Sequence, residues 1–255
     1  MNSELRDLIE AATLAAREAS KAILDIYATP FDVRQKSDSS PVTEADERAE
    51  AIILAILAKA APGIPAIAEE MVSASGAVAP PPRFWMIDPV DGTREFVARN
   101  GEFCTSIGLV EGTRPILGVI HVPTKNITYA GAGIGTATRK IADDAPTPIS
   151  ARPVPAIGPV VTHSRSHGDN AKLTAYLAAL DRPTSLVSGS AVKFCFLAEG
   201  RADLYPRFGP TSEWDTAAGQ AILEAAGGSV TTPDGAPLAY AKATHLNSDF
   251  IARGR

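Results

Sequence analysis

The chain has 255 residues, of which 45% are hydrophobic, and its formal net charge is −5. This length and apolar content are sufficient for a sizeable core, in one large domain or in two packed lobes. The acidic balance and the lack of a Lys/Arg cluster exclude a nucleic-acid polymer as partner, because such binding needs a basic patch that neutralises phosphates. The two cysteines, Cys104 and Cys195, lie in apolar surroundings, so we expect buried thiols without a disulfide.

The first twelve residues, MNSELRDLIEAA, are charged from the fourth residue onward and do not have the plan of a signal peptide. No apolar run is long enough to cross a membrane. We therefore expect a cytoplasmic protein without an integral membrane segment.

Two helices are predicted at the beginning of the chain. Apolar side chains recur every three or four residues from Leu5 to Ile26, which predicts one long helix. A second helix is predicted over 43–61, because Thr43 and Asp46 have the spacing of a capping box and a Pro-Gly pair follows.

The next segments predict two short strands with a loop between them. The stretch GIPAIAEE predicts a strand that ends in Glu69 and Glu70, and the Ala/Pro-rich residues 71–83 predict an exposed loop. Within FWMIDPVDGTREF, residues 84–87 predict a short buried strand, and Asp88 and Asp91 follow its end. From this stretch alone, the two carboxylates are either turn formers or ligands.

Mainly strands are predicted up to residue 141. The stretch REFVARNG predicts a short helix, and residues 102–123 predict two strands joined by a Glu-Gly turn. His121 is expected to be a strand residue without a catalytic role. The glycines at 131, 133 and 135 predict a turn and not a dinucleotide-binding loop, because no helix follows them.

A lobe boundary is predicted in the segment between Ile141 and Pro159, which holds five prolines and has no periodic pattern. We expect an N-terminal α+β lobe over 1–145 and a C-terminal α/β lobe over 146–255. Strands and helices alternate in the second lobe, which predicts a sheet with crossover helices. The predicted fold class is a layered α/β sandwich of two packed lobes.

Acidic residues occupy comparable positions in both lobes, at strand ends or just before a helix: Glu69, Glu70, Asp88, Asp91 and Asp215. Such residues converge on a cleft, where crowded carboxylates repel each other and hard divalent cations relieve the repulsion. No cluster of His and Cys residues suggests zinc, so the expected cofactor is Mg²⁺.

The Gly-Thr pair after the aspartates predicts an anion site beside the metal. The Val90 carbonyl can face the ions, Gly92 lets the backbone pass close to a ligand, and Thr93 opens a helix whose free N–H groups favour phosphate. This arrangement suits metal-assisted phosphoryl transfer.

The segments AEE, WMIDPVDGTREF and EWDTAAG, in this order and at these separations, resemble the signatures of the Mg²⁺-dependent, lithium-sensitive inositol monophosphatase superfamily. Within it, the stretches DPVDGTREFVARNGEF, RPILGVIHVP and GSAVKFCFLAEGRADLYPRFGPTSEWDTAAG are most similar to 3′(2′),5′-bisphosphate nucleotidases of the CysQ type. The resemblance implies an αβαβα sandwich, usually a homodimer. It implies hydrolysis of adenosine 3′,5′-bisphosphate, or of the related phosphosulfate, to the 5′-nucleotide in sulfur metabolism.

The resemblance also implies the metal ligands. One Mg²⁺ is expected to be held by Glu69, Asp88 and the Val90 carbonyl. A second is expected to be held by Asp88, Asp91 and Asp215. Glu70 is expected near these ions or near a third, which gives two or three Mg²⁺ per site.

Asp46 and Thr93 are implied to orient and deprotonate the attacking water, and Gly92 and Thr93 to hold the departing phosphate. From the residues alone, Asp46 can also be only the acid of a capping box, and Asp215 can be only a helix cap; the two kinds of role can coexist. Met71 departs from the acidic or hydroxyl residue that relatives more often carry there, which concerns the loop over the site.

The second phosphate and the base are expected to contact a set of polar residues in the C-terminal lobe: Ser164, Arg165, His167, Ser190, Lys193 and Arg207. The alternative for Ser190 and Lys193 is that they simply begin a helix. The alternative for the arginines and the histidine is that they are solvated surface residues.

The leading function is therefore a Mg²⁺-dependent 3′(2′),5′-bisphosphate nucleotidase acting on a small phosphate ester. The alternatives are an inositol-1-phosphate or histidinol-phosphate phosphatase on the same scaffold and a non-catalytic sensor of metal or nucleotide. A purely structural role with acidic turns would not explain why five acidic residues, in three separate motifs, match the family signatures.

Overall fold

The computed structural model describes residues 2–36, 39–164 and 170–255. Its α-helices are α1 (Ser3–Tyr27), α2 (Glu44–Ala60), α3 (Glu69–Ser75), α4 (Thr93–Val97), α5 (Asn170–Ala178), α6 (Val192–Ala198) and α7 (Ala217–Ala225). A short 3₁₀ helix covers Pro123–Lys125.

The strands of the N-terminal part are β1 (Arg34–Gln35), β2 (Pro41–Val42), β3 (Ala66–Ala68), β4 (Arg83–Asp91), β5 (Cys104–Glu111), β6 (Arg114–Val122), β7 (Ile127–Gly131), β8 (Thr138–Ile141) and β9 (Thr147–Pro148). Those of the C-terminal part are β10 (Val160–His163), β11 (Thr184–Val187), β12 (Leu204–Arg207), β13 (Ser229–Thr231) and β14 (Phe250–Arg253).

Two large sheets organise these elements. The first has seven strands in the order β3-β4-β5-β6-β7-β8-β9, of which only β3 and β4 pair in parallel. The second has five strands in the order β11-β10-β12-β14-β13, with parallel pairs on one side and antiparallel pairs on the other. The strands β1 and β2 form a separate antiparallel ribbon.

Two hydrophobic clusters lie on opposite faces of the seven-stranded sheet. One joins α1 and α2 to the sheet, with Ile23, Ile53 and Trp85 fully buried. The other joins the opposite face to α6, α7 and the second sheet, and includes Phe84 and Phe194. Adjacent residues such as Phe84 and Trp85 serve different clusters because side chains alternate along a strand. The predicted layered sandwich is confirmed.

The predicted capping box of α2 is also confirmed in atomic detail. In α2, the Thr43 hydroxyl accepts a hydrogen bond from the Ala45 N–H at 3.2 Å, and Asp46 Oδ2 accepts one from the Thr43 N–H at 2.8 Å. These bonds satisfy backbone donors that the first helical turn leaves unpaired. Both cysteines are buried and free, as expected.

Three local predictions are wrong. The strand predicted to end in Glu69 and Glu70 stops at Ala68, and both glutamates belong to α3. Residues 71–75 are helical, not part of a loop, because α3 begins at Glu69 and the Glu50 carboxylate accepts a hydrogen bond from the Glu70 N–H at 2.8 Å. The strand of Phe84 does not end at residue 87 but continues to Asp91 as β4. It continues through a β-bulge, in which three residue steps on β4 oppose two on β5.

Helix α7 packs closely against the first sheet because the strands have glycines, which lack a side chain, at the points of contact. A Cβ on Gly118 would lie 2.1 Å from the Ala218 carbonyl oxygen, and a Cβ on Gly108 would lie 2.9 Å from the Ala217 Cβ. No larger residue fits at either position without moving the helix. The beginning of α7 is thereby held close to β5 and β6.

The chain passes from the first sheet to the second between Pro148 and Val160. Helices α6 and α7 contribute to a cluster that reaches both sheets. The division into lobes at residues 145 and 146 therefore remains a prediction. Within the described ranges, no helix combines the length and the apolar composition that a membrane span requires.

We predict that Gly118→Ala lowers the free energy of unfolding by about 1–3 kcal/mol, because the new methyl group overlaps the backbone of α7. Urea denaturation measures this change. The matched control is Gly63→Ala, where a Cβ meets nothing within 4 Å, and we expect its midpoint to be unchanged. Equal midpoints for both variants would contradict the close packing of α7.

Candidate active site

Three carboxylates from two parts of the chain meet beside the end of β4. The side chains of Asp88, Asp91 and Asp215 each offer an oxygen, and these oxygens lie within 4.8 Å of one another. Residues three apart on a regular strand point to opposite faces. The bulge between Asp88 and Asp91 changes this alternation, so both aspartates can face Asp215, which precedes α7.

Each of these carboxylates already receives one backbone hydrogen bond. The N–H of Val90 donates to Asp88 Oδ1 at 3.0 Å, and the N–H of Ser212 donates to Asp215 Oδ2 at 2.9 Å. Asp91 Oδ2 accepts from the Ala191 N–H and also lies 3.7 Å from the Cys104 sulfur. These bonds fix the carboxylates and leave other oxygens for a ligand.

The cluster carries strong electrostatic repulsion. Burial, followed by the charges of its carboxylate neighbours, raises the pKa of Asp88 well above the ordinary value. Burial raises the pKa of Asp91 to about 6, and burial together with the charge of Asp91 raises the pKa of Asp215 to about 8. An oxygen-only donor set that is short of positive charge fits a hard divalent cation.

Glu69 and Glu70 lie at the beginning of α3 and share one cation. Lys36 Nζ is 2.6 Å from Glu69 Oε1 and 2.6 Å from Glu70 Oε1, and the lysine side chain is only 8% exposed. Burial opposes the charge on Lys36, but the two glutamates outweigh it and raise the pKa of the ammonium. Burial raises the pKa of Glu70 to about 7. One ammonium cannot neutralise two carboxylates, so negative charge remains.

The Asp46–Thr93 pair predicted to act on water is formed in the structure. Thr93 Oγ1 lies 3.1 Å from Asp46 Oδ1 and 3.1 Å from the Val90 carbonyl oxygen. Asp46 Oδ2 is engaged with the N–H and the hydroxyl of Thr43, at 2.8 and 2.7 Å. Burial raises the pKa of Asp46, although its hydrogen bonds oppose the shift.

Gly92 connects β4 to α4 in a backbone conformation that favours glycine. Its φ is +97°, and an added Cβ would lie 3.1 Å from the Glu102 carbonyl oxygen and 3.4 Å from the Ser190 Cβ. Ser190 itself has a φ of +53°. The two segments therefore approach each other closely through backbone shapes that most side chains disfavour.

A cavity of about 350 Å³ opens over this centre. The residues of the predicted site that line it are Glu69, Asp88, Val90, Asp91, Gly92, Thr93, Ser164, Ser190, Lys193, Arg207 and Asp215. Glu70 and Asp46 are not among the lining residues. Asp46 contacts the lining residue Thr93, and Glu70 contacts Lys36. Arg165 and His167 lie outside the described residues.

Two buried cations line the same cavity. Lys193 is 2% exposed, and its ammonium donates to the carbonyl oxygens of Ser190 at 2.6 Å and Ser188 at 3.3 Å. Burial lowers the pKa of Lys193 to about 8, against the opposing charge of Asp91. Lys193 therefore does not only begin a helix, because its ammonium is a buried positive charge at the cavity wall.

Arg207 is 8% exposed, so it is not a solvated surface residue. It donates to Ser164 Oγ at 3.0 Å and to the Pro210 carbonyl oxygen at 2.7 Å. Its Nε–H is buried and has no partner within the described ranges. An anion in the cavity would satisfy this donor.

Several positioning residues are missed by the sequence reasoning. Asn247 donates to Thr211, Thr216 and the Ser212 carbonyl, and so ties the segment around Asp215 to the C-terminal part of the chain. Lys242 lies 2.6 Å from the fully buried Glu213 carboxylate in the same segment. Lys36 and Glu50 are missed in the same way. Each of these contacts joins residues that are distant in sequence, so no local sequence pattern predicts it.

Known protein sequences resemble this chain over almost its whole length. The model of the inositol monophosphatase family matches residues 4–253. A 3′(2′),5′-bisphosphate nucleotidase CysQ of Shigella flexneri is 43% identical over 244 residues, which cover 92% of this chain and 95% of that protein. The protein of the same description from Salmonella typhimurium is 42% identical and covers 95% and 98%.

Solved structures of two related proteins have the same fold as this chain. CysQ of Bacteroides thetaiotaomicron, described as a bacterial member of the inositol monophosphatase family, superposes with a TM-score of 0.83 at 34% identity over 99% of both chains. An inositol monophosphatase from Anabaena superposes with a TM-score of 0.77 at 29% identity, over 99% of this chain and 92% of that one.

We predict that in EDTA the chain loses thermal stability as the pH rises from about 5 to 9. The pKa values of Asp91 and Asp215 are higher in the folded chain than the value of about 4 expected for the unfolded chain. Their protonation stabilises the folded state at low pH, and this contribution is lost as the pH passes about 6 and then about 8. The melting temperature measured across this range tests the prediction.

The variant Asp215→Asn isolates one of these groups. Because asparagine carries no charge, we expect a smaller fall in melting temperature between pH 7 and 9 than in the unmodified chain. Asp25→Asn, which changes an exposed residue of α1, is the control and should keep the original slope. Identical slopes for all three proteins would contradict the assignment of the pKa shift to Asp215.

Proposed function

The chain belongs to the inositol monophosphatase family, and we propose that it is a Mg²⁺-dependent phosphomonoesterase that removes the 3′-phosphate of adenosine 3′,5′-bisphosphate. The observation that carries the proposal is the pairing of an acidic cluster with two buried cations in one cavity. The products would be inorganic phosphate and the 5′-monophosphate. The relatives described as 3′(2′),5′-bisphosphate nucleotidases support this substrate.

The donor set supports Mg²⁺ as the cofactor, with two or three ions per site. Asp88, Asp91 and Asp215 offer carboxylate oxygens, and the Val90 carbonyl and Glu69 line the same cavity. Glu70 stands beside Glu69 and would act on a further ion. Bound Mg²⁺ would lower the pKa of a coordinated water and stabilise negative charge on the phosphoryl group and the leaving oxygen.

Thr93 and Asp46 would prepare the water that attacks phosphorus. The Thr93 hydroxyl has one hydrogen, which it donates to Asp46 or to the Val90 carbonyl, and its oxygen remains able to accept from a water. The proton of the water would pass through this hydroxyl to Asp46, whose pKa burial raises. Gly92 leaves room for the departing phosphate beside the same hydroxyl.

Lys193 and Arg207 would hold the second phosphate. A bisphosphate has two anionic groups, and the cavity offers two places for them: the acidic cluster with its metal ions, and the pair of buried cations. The unpartnered Nε–H of Arg207 is a donor for the second group within the described part of the chain. Ser164 and Ser190 line the same region. Arg165 and His167 remain predicted contacts.

The rival functions do not account for the two buried cations, Lys193 and Arg207. Inositol 1-phosphate or histidinol phosphate has a single phosphate and leaves the pair of cations without an anionic partner. A sensor of metal or nucleotide needs no Asp46–Thr93 pair. Homodimerisation, sensitivity to lithium and a cytoplasmic location remain predictions from the sequence and the resemblance.

The test of the function is phosphate release from adenosine 3′,5′-bisphosphate, inositol 1-phosphate and histidinol phosphate, each with Mg²⁺ and with EDTA. We expect the nucleotide to be preferred and the activity to be lost in EDTA. The variant Asp88→Asn should reduce turnover to background, because it removes a ligand shared by both expected ions. The variant Asp25→Asn should keep full activity. Preference for another ester would refute the substrate, and silence on all three would favour a sensor.

We predict that Arg207→Gln raises the KM for adenosine 3′,5′-bisphosphate about tenfold, the order expected for the loss of a hydrogen bond to a charged group. The KM for adenosine 3′-monophosphate, which has no 5′-phosphate, should not change. Steady-state kinetics on the two substrates separate recognition from general damage to the site. An equal rise for both substrates would contradict the role of Arg207.

A further inference from the structure

A second and larger cavity lies on the face of the seven-stranded sheet that carries α1. It is lined by α1 and by strands β6, β7 and β8, it is open to solvent, and its volume is about 730 Å³. It shares no lining residue with the cavity over the acidic cluster. Small-molecule sites in proteins commonly measure about 300–1,000 Å³. The volume of this cavity falls within that range.

Two polar side chains of largely buried residues line this cavity and have hydrogen-bonding capacity left for a ligand. His121 is 2% exposed and lines it, and its Nδ1 lies 2.9 Å from Thr128 Oγ1. Its Nε2 has no hydrogen-bond partner in residues 2–36, 39–164 and 170–255. The Ser20 hydroxyl is on a residue only 5% exposed and likewise has no partner in these ranges. Both groups are therefore able to form a hydrogen bond with a ligand that enters the cavity.

The charge around the cavity is positive in a chain that is negative overall. Four cations line it against two carboxylates, Arg6, Arg17, Lys21 and Lys140 against Glu10 and Glu18, and Lys21 is paired with Glu18 at 2.7 Å. Arg17 pairs with Asp143 at 2.6 Å, but Asp143 is 88% exposed, so this ion pair contributes little stability. Arg17 is thus available to an anion in the cavity.

Arg17 also acts on the histidine. Burial, followed by the charge of Arg17, lowers the pKa of His121 to about 4, so the imidazole is neutral at pH 7. The positive potential beside the polar floor therefore comes from the guanidinium. Apolar side chains complete the walls, among them Ile9, Leu24 and Ala130.

We propose that this cavity binds an organic anion with an apolar body. The anionic group lies between Arg17 and the Nε2–H of His121, which is the donor when Nδ1 accepts from the Thr128 hydroxyl. The apolar body lies against Ile9, Leu24 and Ala130. A second protein surface fits less well, because the unpartnered groups are at the buried floor of the cavity and not at its rim. The proposal stands independently of the reaction at the acidic cluster.

The test is a titration with 1-anilinonaphthalene-8-sulfonate, an aromatic sulfonate whose fluorescence increases in an apolar site. EDTA is present, so that the acidic cluster stays negative and repels the probe. We expect saturable binding at one site per chain. The variants Arg17→Glu and His121→Leu should each weaken binding, the first by at least about tenfold, because the first reverses the charge at the anionic group and the second removes a hydrogen-bonding nitrogen.

Two controls separate this site from the rest of the molecule. Asp143→Ala releases Arg17 from its ion pair, and we expect its affinity to equal or exceed that of the unmodified chain. Arg207→Gln changes the other cavity and should not affect the probe. Near-ultraviolet circular dichroism verifies that each variant is folded. Unchanged affinity in both Arg17→Glu and His121→Leu, or loss of binding on Arg207→Gln instead, would overturn the proposal.

Discussion

Burial of several like charges in one cavity is the constraint on which the rest of this structure depends. Asp88, Asp91 and Asp215 repel one another, and burial raises the free energy of their charged forms. The fold holds them together through elements that are stable for other reasons. The strand β4 lies within a seven-stranded sheet, and α7 is seated against glycines of β5 and β6. The stability of the layers thus compensates for a centre that is unfavourable without a cation.

Lys36 shows how the chain manages part of this charge by itself. Its ammonium lies between Glu69 and Glu70, at a place where the family resemblance puts a metal ligand. A divalent ion that recruits Glu69 must compete with this ammonium. Under the proposed function, the affinity for such an ion would therefore depend on Lys36, which directly follows β1, as well as on the metal ligands themselves.

The sequence predicts the layers and most of the acidic centre because those features depend on local patterns. The capping box of Thr43 and Asp46 and the apolar stripe of α1 are local, and the bonds seen in the structure agree with them. The helical residues 71–75 are missed because their helix is capped by Glu50, about twenty residues earlier. The end of β4 is placed too early because Asp-Pro suggests a turn, whereas pairing with β5 extends the strand through a bulge. Lys36 and Asn247 act through contacts across long separations, which no window of sequence contains.

Asp46 serves the first turn of α2 with one oxygen and the Thr93 hydroxyl with the other. A helix end commonly frays and exchanges its amide hydrogens with solvent faster than the helix centre. Here, fraying at the start of α2 would also separate Asp46 from Thr93. The pair is consequently coupled to the first turn of α2, a helix of 17 residues packed in the core. An opening of this first turn would therefore break the Asp46–Thr93 contact even if the loops around the cavity did not move.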